Sequence, residues 1–257
     1  MFKNKIFIIC IVALLLVSGF ISVVNAYVVK EKVSLSRNLG FRRVVVSSIG
    51  DGLQDAVIWD NYTEPKIGVK GSPFFLCVVT VKVVADEEYR LHHPGWMLMA
   101  WNVIKNSVIR MGTLRMDCFL KYGIVLVPLV FVPWRSDDSK DIMGLFYDVL
   151  KMPLSGCDIL VALTGQCSPH GIVGVAAPGY NRCINTDMDS MAGPSTPHFK
   201  MLTDNLVQHE VSHLFGVHGD HPPSSGIKCV MSHGFGLKYD TWCPVCAAEL
   251  VRGKTRF

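Results

Sequence analysis

His209-Glu210-Val211-Ser212-His213 places two imidazoles and a carboxylate within one turn of any helix that carries them. Residues four apart in an α-helix stack on the same face, so His209 and His213 can both reach one Zn²⁺ at roughly 2.0–2.1 Å. Glu210 is rotated about the helix axis away from that line. Its carboxylate stays out of the ligand set yet close to the coordination position where a water would bind. Zinc lowers the pKa of such a water to about 7, and Glu210 can take its proton as it attacks a polarised carbonyl. The chemistry is metal-assisted hydrolysis, with His209 and His213 as ligands and Glu210 as general base. A single buried histidine is ordinarily core with its hydrogen bonds satisfied. A second histidine one turn on, beside a glutamate, requires further coincidences.

The residues that follow add to this. Gly216 comes soon after His213, Val217-His218-Gly219-Asp220-His221 crowds further ligand types together, and Cys229-Val230-Met231 lies just downstream. With these the chain resembles the metzincin metallopeptidases, whose extended motif is HExxHxxG, a third ligand and a methionine-containing turn. The resemblance implies an α/β architecture of the α+β zincin type. It comprises a mixed twisted sheet with an antiparallel edge strand, an active-site helix carrying HExxH, a Met-turn and a C-terminal helix. Gly216 matches the residue at which the chain swings off the helix, where a left-handed turn favours a residue without Cβ. Met231 matches the apolar base beneath the metal.

The departure from the family pattern falls on the third ligand. Gly219 stands at the position the family spacing assigns to His or Asp. His221 is the expected ligand, because neutral imidazole is the commonest partner of Zn²⁺. Asp220 and His218 are the alternatives, and the Asp220-His221 pair resembles snapalysin-like peptidases, in which the aspartate binds the metal. Cys229, Cys243 and Cys246 resemble the cysteines of archaemetzincins, which hold a second, structural zinc. Here such a site would be Cys₃His, with His218 or His233 completing it. The alternative is a disulfide from Cys229 to Cys243 or Cys246. His233 also stands where some metzincins place a tyrosine beside the metal, although a solvated loop histidine is the ordinary explanation.

The elements that must position these groups follow from apolar periodicity. Residues 74–85 read as a buried strand, 96–111 as a helix, and 123–132 as a second strand in which Pro128 demands an edge or a bulge. Residues 141–150 read as a helix, 158–163 as a third strand, and 171–177 as a strand rich in small residues. The resemblance makes residues 172–176 an exposed edge on which an extended peptide or protein substrate would pair through main-chain hydrogen bonds. The motif helix should begin between Thr196-Pro197 and Asp204, both N-cap signals. Residues 244–253 should close the domain as a short helix. Residues 43–48 and 55–58 are strand-like.

Lys3 and Lys5 precede an apolar run over residues 6–17, and Val24-Asn25-Ala26 offers a cleavage site, so residues 1–26 form a secretory signal pattern. The apolar stretch is long enough that retention as a membrane anchor is the alternative. Residues 27–71 form an N-terminal extension, a propeptide, strand pair or stalk, and residues 72–257 the catalytic domain. Half of the 257 residues are hydrophobic, enough for a sizeable core. A net charge of +4 with scattered Lys and Arg gives no basic patch for nucleic acid. Beyond the signal the cysteines are even in number, which permits disulfides in an exported chain, Cys167 with Cys183 first among them. Cys77 lies inside an apolar strand and reads as a buried structural thiol. The expected function is that of a secreted zinc metalloendopeptidase, with one catalytic Zn²⁺ and a second structural zinc if the cysteines bind metal. The alternatives are a catalytically inactive zinc-binding module and an amidase acting on something other than protein.

Overall fold

A computed structural model of the chain describes residues 45–48, 76–108, 119–136, 141–166, 172–191, 202–218, 220–222, 225–232, 239 and 241–257. The signal pattern, most of the 27–71 extension, Cys167, His233 and Thr196-Pro197 lie outside the described residues; the motif helix is described from Leu202, within the window expected for its start.

Six strands form one sheet: β1 Val45–Ser48, β2 Cys77–Ala85, β3 Ile124–Pro133, β4 Ile159–Thr164, β5 Ile172–Ala177 and β6 Arg182–Thr186, in the order β1-β5-β6-β4-β2-β3. β3, β2, β4 and β6 run parallel to one another, whereas β5 is antiparallel to β6 and β1 antiparallel to β5. The class is therefore α/β with a mixed sheet. β4 and the second half of β2, from Val81, are buried on both faces, as parallel strands covered by helices must be, whereas Val78 near the start of β2 is exposed. Pro128 has both of its expected consequences. β3 is an edge strand, and its register against β2 slips where Pro128 pairs with Val81 and Val130 with Lys82.

Alternate residues feed two layers. Val79, Val81 and Val83 of β2 and Ile159, Val161 and Leu163 of β4 face a core shared with helices α2 (Trp96–Val108), α5 (Leu202–Leu214) and α6 (Pro244–Gly253). Val84, Leu160, Ala162, Val175 and Ile184 face helix α3 (Ile142–Lys151) on the other side. That helix starts where Asp141 accepts a hydrogen bond from the Gly144 N–H at 2.8 Å and buries Ile142, Leu145, Phe146 and Val149 at the helical period. Among the described residues the short helices α1 (Glu87–His92) and α4 (Met188–Met191) are the remaining α-helices. The acidic run after β2 is helical, because the buried Asp86 side chain accepts from the Tyr89 N–H at 2.8 Å and caps α1. Strand β6 was not foreseen at all. Its five residues, Arg-Cys-Ile-Asn-Thr, have no apolar run, and Asn185 is buried by bonding to the Ala162 carbonyl of β4.

One expectation about the sheet is corrected. Residues 172–176 do form a strand antiparallel to its inner neighbour, but it is not the exposed edge. Val45–Ser48 pairs along its outer side, and Val173, Val175 and Ala176 are buried.

Candidate metal centre

Helix α5 carries His209, Glu210 and His213 on the side that faces β5, β6 and the loop leading to α6, and all three are buried. The helix is fixed from outside by Asn106 of α2, which donates to Asp204 at 3.0 Å. From inside, the Trp242 indole donates to Ser212 at 2.9 Å. Its C-terminus is a Schellman turn: the Gly216 N–H reaches the His213 carbonyl at 2.8 Å and the Val217 N–H the Ser212 carbonyl at 3.1 Å. Gly216 adopts φ +86°, a left-handed conformation that favours a residue without Cβ; the Arg256 guanidinium, 2.7 Å from where a Cβ would stand, could swing aside. The turn lets the chain return Asp220 to the His209 and His213 side of the helix.

The two imidazoles are oriented by main-chain carbonyls. His209 Nδ1 lies 2.8 Å from the Val230 oxygen and His213 Nδ1 2.9 Å from the Val217 oxygen. A carbonyl can only accept, so each Nδ1 carries the hydrogen and each Nε2 of a neutral ring presents a lone pair. Those Nε2 atoms face each other at 3.2 Å. Asp220 Oδ1 completes a triangle, 3.2 Å from His209 Nε2 and 3.5 Å from His213 Nε2. Three electron-pair donors converging on one point, in surroundings from which water is largely excluded, call for a cation between them. The His209 pKa expresses the same demand. Burial alone would discharge the ring, but the Asp220 carboxylate, with Glu210 and the Val230 carbonyl behind it, carries it up to about 10.

His221, expected beside His209 and His213, stands instead in a second cluster, and Asp220 takes the place next to the two histidines. In an extended segment successive side chains point to opposite sides. With Asp220 turned toward His209, the adjacent His221 must turn away, and its Nε2 lies 3.2 Å from Cys243 Sγ and 3.3 Å from Cys246 Sγ. With Cys229 these residues form a Cys₃His group whose donor atoms lie within 4.8 Å of one another, and all three cysteines are free thiols. A hydrogen bond from the Cys246 thiol lowers the Cys229 thiol against its burial, helped by the N–H groups of Cys243 at 3.2 Å and Met231 at 3.4 Å. Cys246, sharing that proton, is pushed up. A thiolate held by two backbone N–H groups is the form in which cysteine binds metal.

His218, the third alternative, belongs to neither group. Its Nδ1 bonds the Gly216 carbonyl at 2.5 Å and its N–H the Glu249 carboxylate at 3.0 Å. Met231 is fully buried in the core cluster that also holds Val211 and Leu214 of α5, and its carbonyl accepts the His221 N–H at 2.7 Å. Cys77 is a buried thiol directed at the Lys254 carbonyl, away from both clusters. Cys183 is a free thiol pushed up by burial and by the nearby Glu210 carboxylate.

The Glu210 carboxyl lies flat against Gly174 of β5. A Cβ built on Gly174 would overlap Glu210 Oε1 and stand 2.8 Å from its Cδ and 2.9 Å from its Cγ. A hydrogen atom in place of a side chain on β5 is thus what lets the carboxylate occupy its position beside the two histidines. Sequence reasoning read Gly174 only as part of a strand of small residues, and the spacing of the motif carries no trace of it. No protein-family model matches the chain, and no curated protein matches it either.

Proposed function

We propose that the protein is an exported zinc-dependent endopeptidase with a metzincin-type catalytic domain. The observation that carries the reading is the convergence of His209 Nε2, His213 Nε2 and Asp220 Oδ1 at 3.2–3.5 Å from one another with Glu210 beside them. Donors about 2.05 Å from a tetrahedral ion stand about 3.3 Å apart, so the spacing fits zinc, and three protein ligands leave the fourth position open as hydrolysis requires. His209, His213 and Asp220 would hold the ion. When bound, zinc supplies Lewis-acid polarisation of a carbonyl and an acidified water.

The chain's own residues do the rest. Val230 and Val217 lock the ring orientations through their carbonyls, and Gly174 sets the reach of the Glu210 carboxylate. Glu210 accepts the proton of the attacking water and delivers it to the departing amine. The His221, Cys229, Cys243 and Cys246 group fits a closed structural zinc, since four protein donors leave no position for substrate. The sheet order, with four parallel strands and β5 reversed above the motif helix, supports the zincin-type arrangement. Export rests on the sequence pattern of residues 1–26; among the described residues no helix is long and apolar enough to cross a membrane.

The test is zinc content and casein cleavage of the full chain beside Glu210→Ala. Two zinc ions in both proteins, with cleavage by the parent only, is the expected result. Absence of zinc from the parent would sink the reading.

A further inference from the structure

The sheet edge nearest Glu210 is occupied by the chain itself. β5 is the strand on which the Glu210 carboxyl rests, at Gly174. Val45–Ser48 runs antiparallel along its outer side, with Val45 opposite Ala176, Val46 opposite Val175 and Ser47 opposite Gly174. The resident strand therefore crosses the sheet at the residue that touches the proposed general base. Substrate pairing on the outer edge of β5 is what the metzincin resemblance implies; we propose that Val45–Ser48 is the intramolecular occupant of that edge and must leave before a substrate strand can pair there. The assignment rests on the peptidase reading and names how that site is held closed.

Three features of the pairing support exchange. The strand has four residues, whereas β2 pairs with β3 over nine, so few main-chain bonds hold it. Its register slips between Ser47 and Ser48, directly beyond the position opposite Gly174. It also belongs to a segment that precedes β2 in the chain but sits at the far end of the sheet from it, so the remaining strands pair with one another without it. A tethered strand acts at an effective concentration in the millimolar range. That is enough to occupy an edge by default and to yield to a peptide that adds side-chain contacts.

The experiment uses the full chain loaded with zinc, with Val45→Pro and Val46→Pro made in parallel. Neighbouring residues of an antiparallel strand alternate between pointing their N–H at the partner and away from it. One proline therefore removes a ladder bond and the other does not. Val45→Gly/Val46→Gly is a milder third variant, against the event that proline impairs folding. Amide exchange is followed over residues 172–177, and kcat/KM is measured on a quenched fluorescent peptide.

In one proline variant, and partly in the glycine pair, the β5 amides that face β1 should exchange faster while those facing β6 stay protected. A synthetic peptide of residues 42–49 should restore the protection. In the same variant kcat/KM should rise about tenfold, the equivalent of one or two lost backbone bonds, and the peptide should inhibit. Exchange that is the same in the parent and all variants, or a freed edge that the peptide does not re-protect, overturns the proposal. So does an unchanged kcat/KM in a released variant whose parent cleaves. The expected exchange pattern with no cleavage by any protein upholds Val45–Ser48 as the displaceable occupant of the β5 edge and removes the peptidase reading instead.

Discussion

Gly174→Ala isolates the placement of Glu210 from everything else in the site. The added methyl would stand 2.8 Å from the Glu210 Cδ and 2.9 Å from its Cγ, and closer still to Oε1. Carbon atoms settle at about 3.5 Å or more, so the carboxyl must retreat by about 0.7 Å or swing to another rotamer. The orientation of His209 and His213 depends instead on the Val230 and Val217 carbonyls, and Asp220 lies beside His209, so the metal ligands keep their own supports. A displacement of about 1 Å at a reacting group costs on the order of 100-fold, and loss of a general base 10²–10⁴-fold. The expected result is a fall of about 100-fold in kcat/KM with unchanged zinc stoichiometry. Glu210→Ala should fall at least as far, and the double variant no further, because both changes remove the same function. The assay is cleavage of a quenched peptide beside metal analysis of each protein. Full activity in Gly174→Ala would refute the claim that the strand sets the position of the carboxylate. Simultaneous loss of zinc would show that the methyl disturbs the metal ligands.

Other outcomes follow from the same geometry. Asp220→Ala should abolish cleavage and weaken one of two metal ions while leaving the thiolate-to-cobalt absorption of the Co²⁺-substituted protein intact, whereas His221→Ala should alter that absorption; the reverse pattern would contradict the division of the two residues between the clusters. Brief chelation should remove cleavage and one equivalent of zinc before the second, because a three-ligand site is open and a four-ligand site closed; simultaneous loss in a zinc-release assay would argue against two kinds of site. Phe119→Ala, which removes a fully buried ring packed on Phe215 and Trp242 at 6.0 and 4.9 Å, should cost about 3–5 kcal/mol in denaturant unfolding. Asp141→Ala, at the exposed N-cap of α3, should cost only about 1 kcal/mol.

What the sequence made legible was whatever depends on local period or on one-turn spacing. Helices α2, α3 and α6, strands β2 to β5 and the bulge at Pro128 all have apolar patterns of period 3.6 or 2, or a proline whose missing N–H has one consequence. His209, Glu210 and His213 could be read because a helix fixes the relation of residues one turn apart. The division of Asp220 and His221 between clusters could not. It depends on which way a short extended segment is rotated, and that is decided by tertiary bonds, the His221 N–H to the Met231 carbonyl above all. Strand β6 was hidden because its polar residues are satisfied by neighbouring strands rather than by solvent. The covering of β5 by β1 was hidden because pairing across a sheet leaves no mark on the spacing within either strand.

The two clusters are not independent, and the reason lies in adjacency. Asp220 of the first is bonded in sequence to His221 of the second, and Val230, whose carbonyl orients His209, is bonded to Cys229. The second cluster thus grips both segments that deliver the first cluster's supports, and the bridge between His221 and Ser232 ties those segments to each other. If the cysteine group holds metal, that ion fixes the rotation of the 220–221 segment, and with it the direction of Asp220. Cys243→Ser should therefore do more than lower the zinc stoichiometry from two to one. It should weaken binding of the remaining ion by about 10–100-fold, the usual effect of loosening a group that orients a ligand, with Glu210 and both histidines intact. Competition with a chelator of known affinity measures this. Undiminished affinity of the histidine site after loss of the cysteine site would mean that the loop holds Asp220 in place through its hydrogen bonds alone.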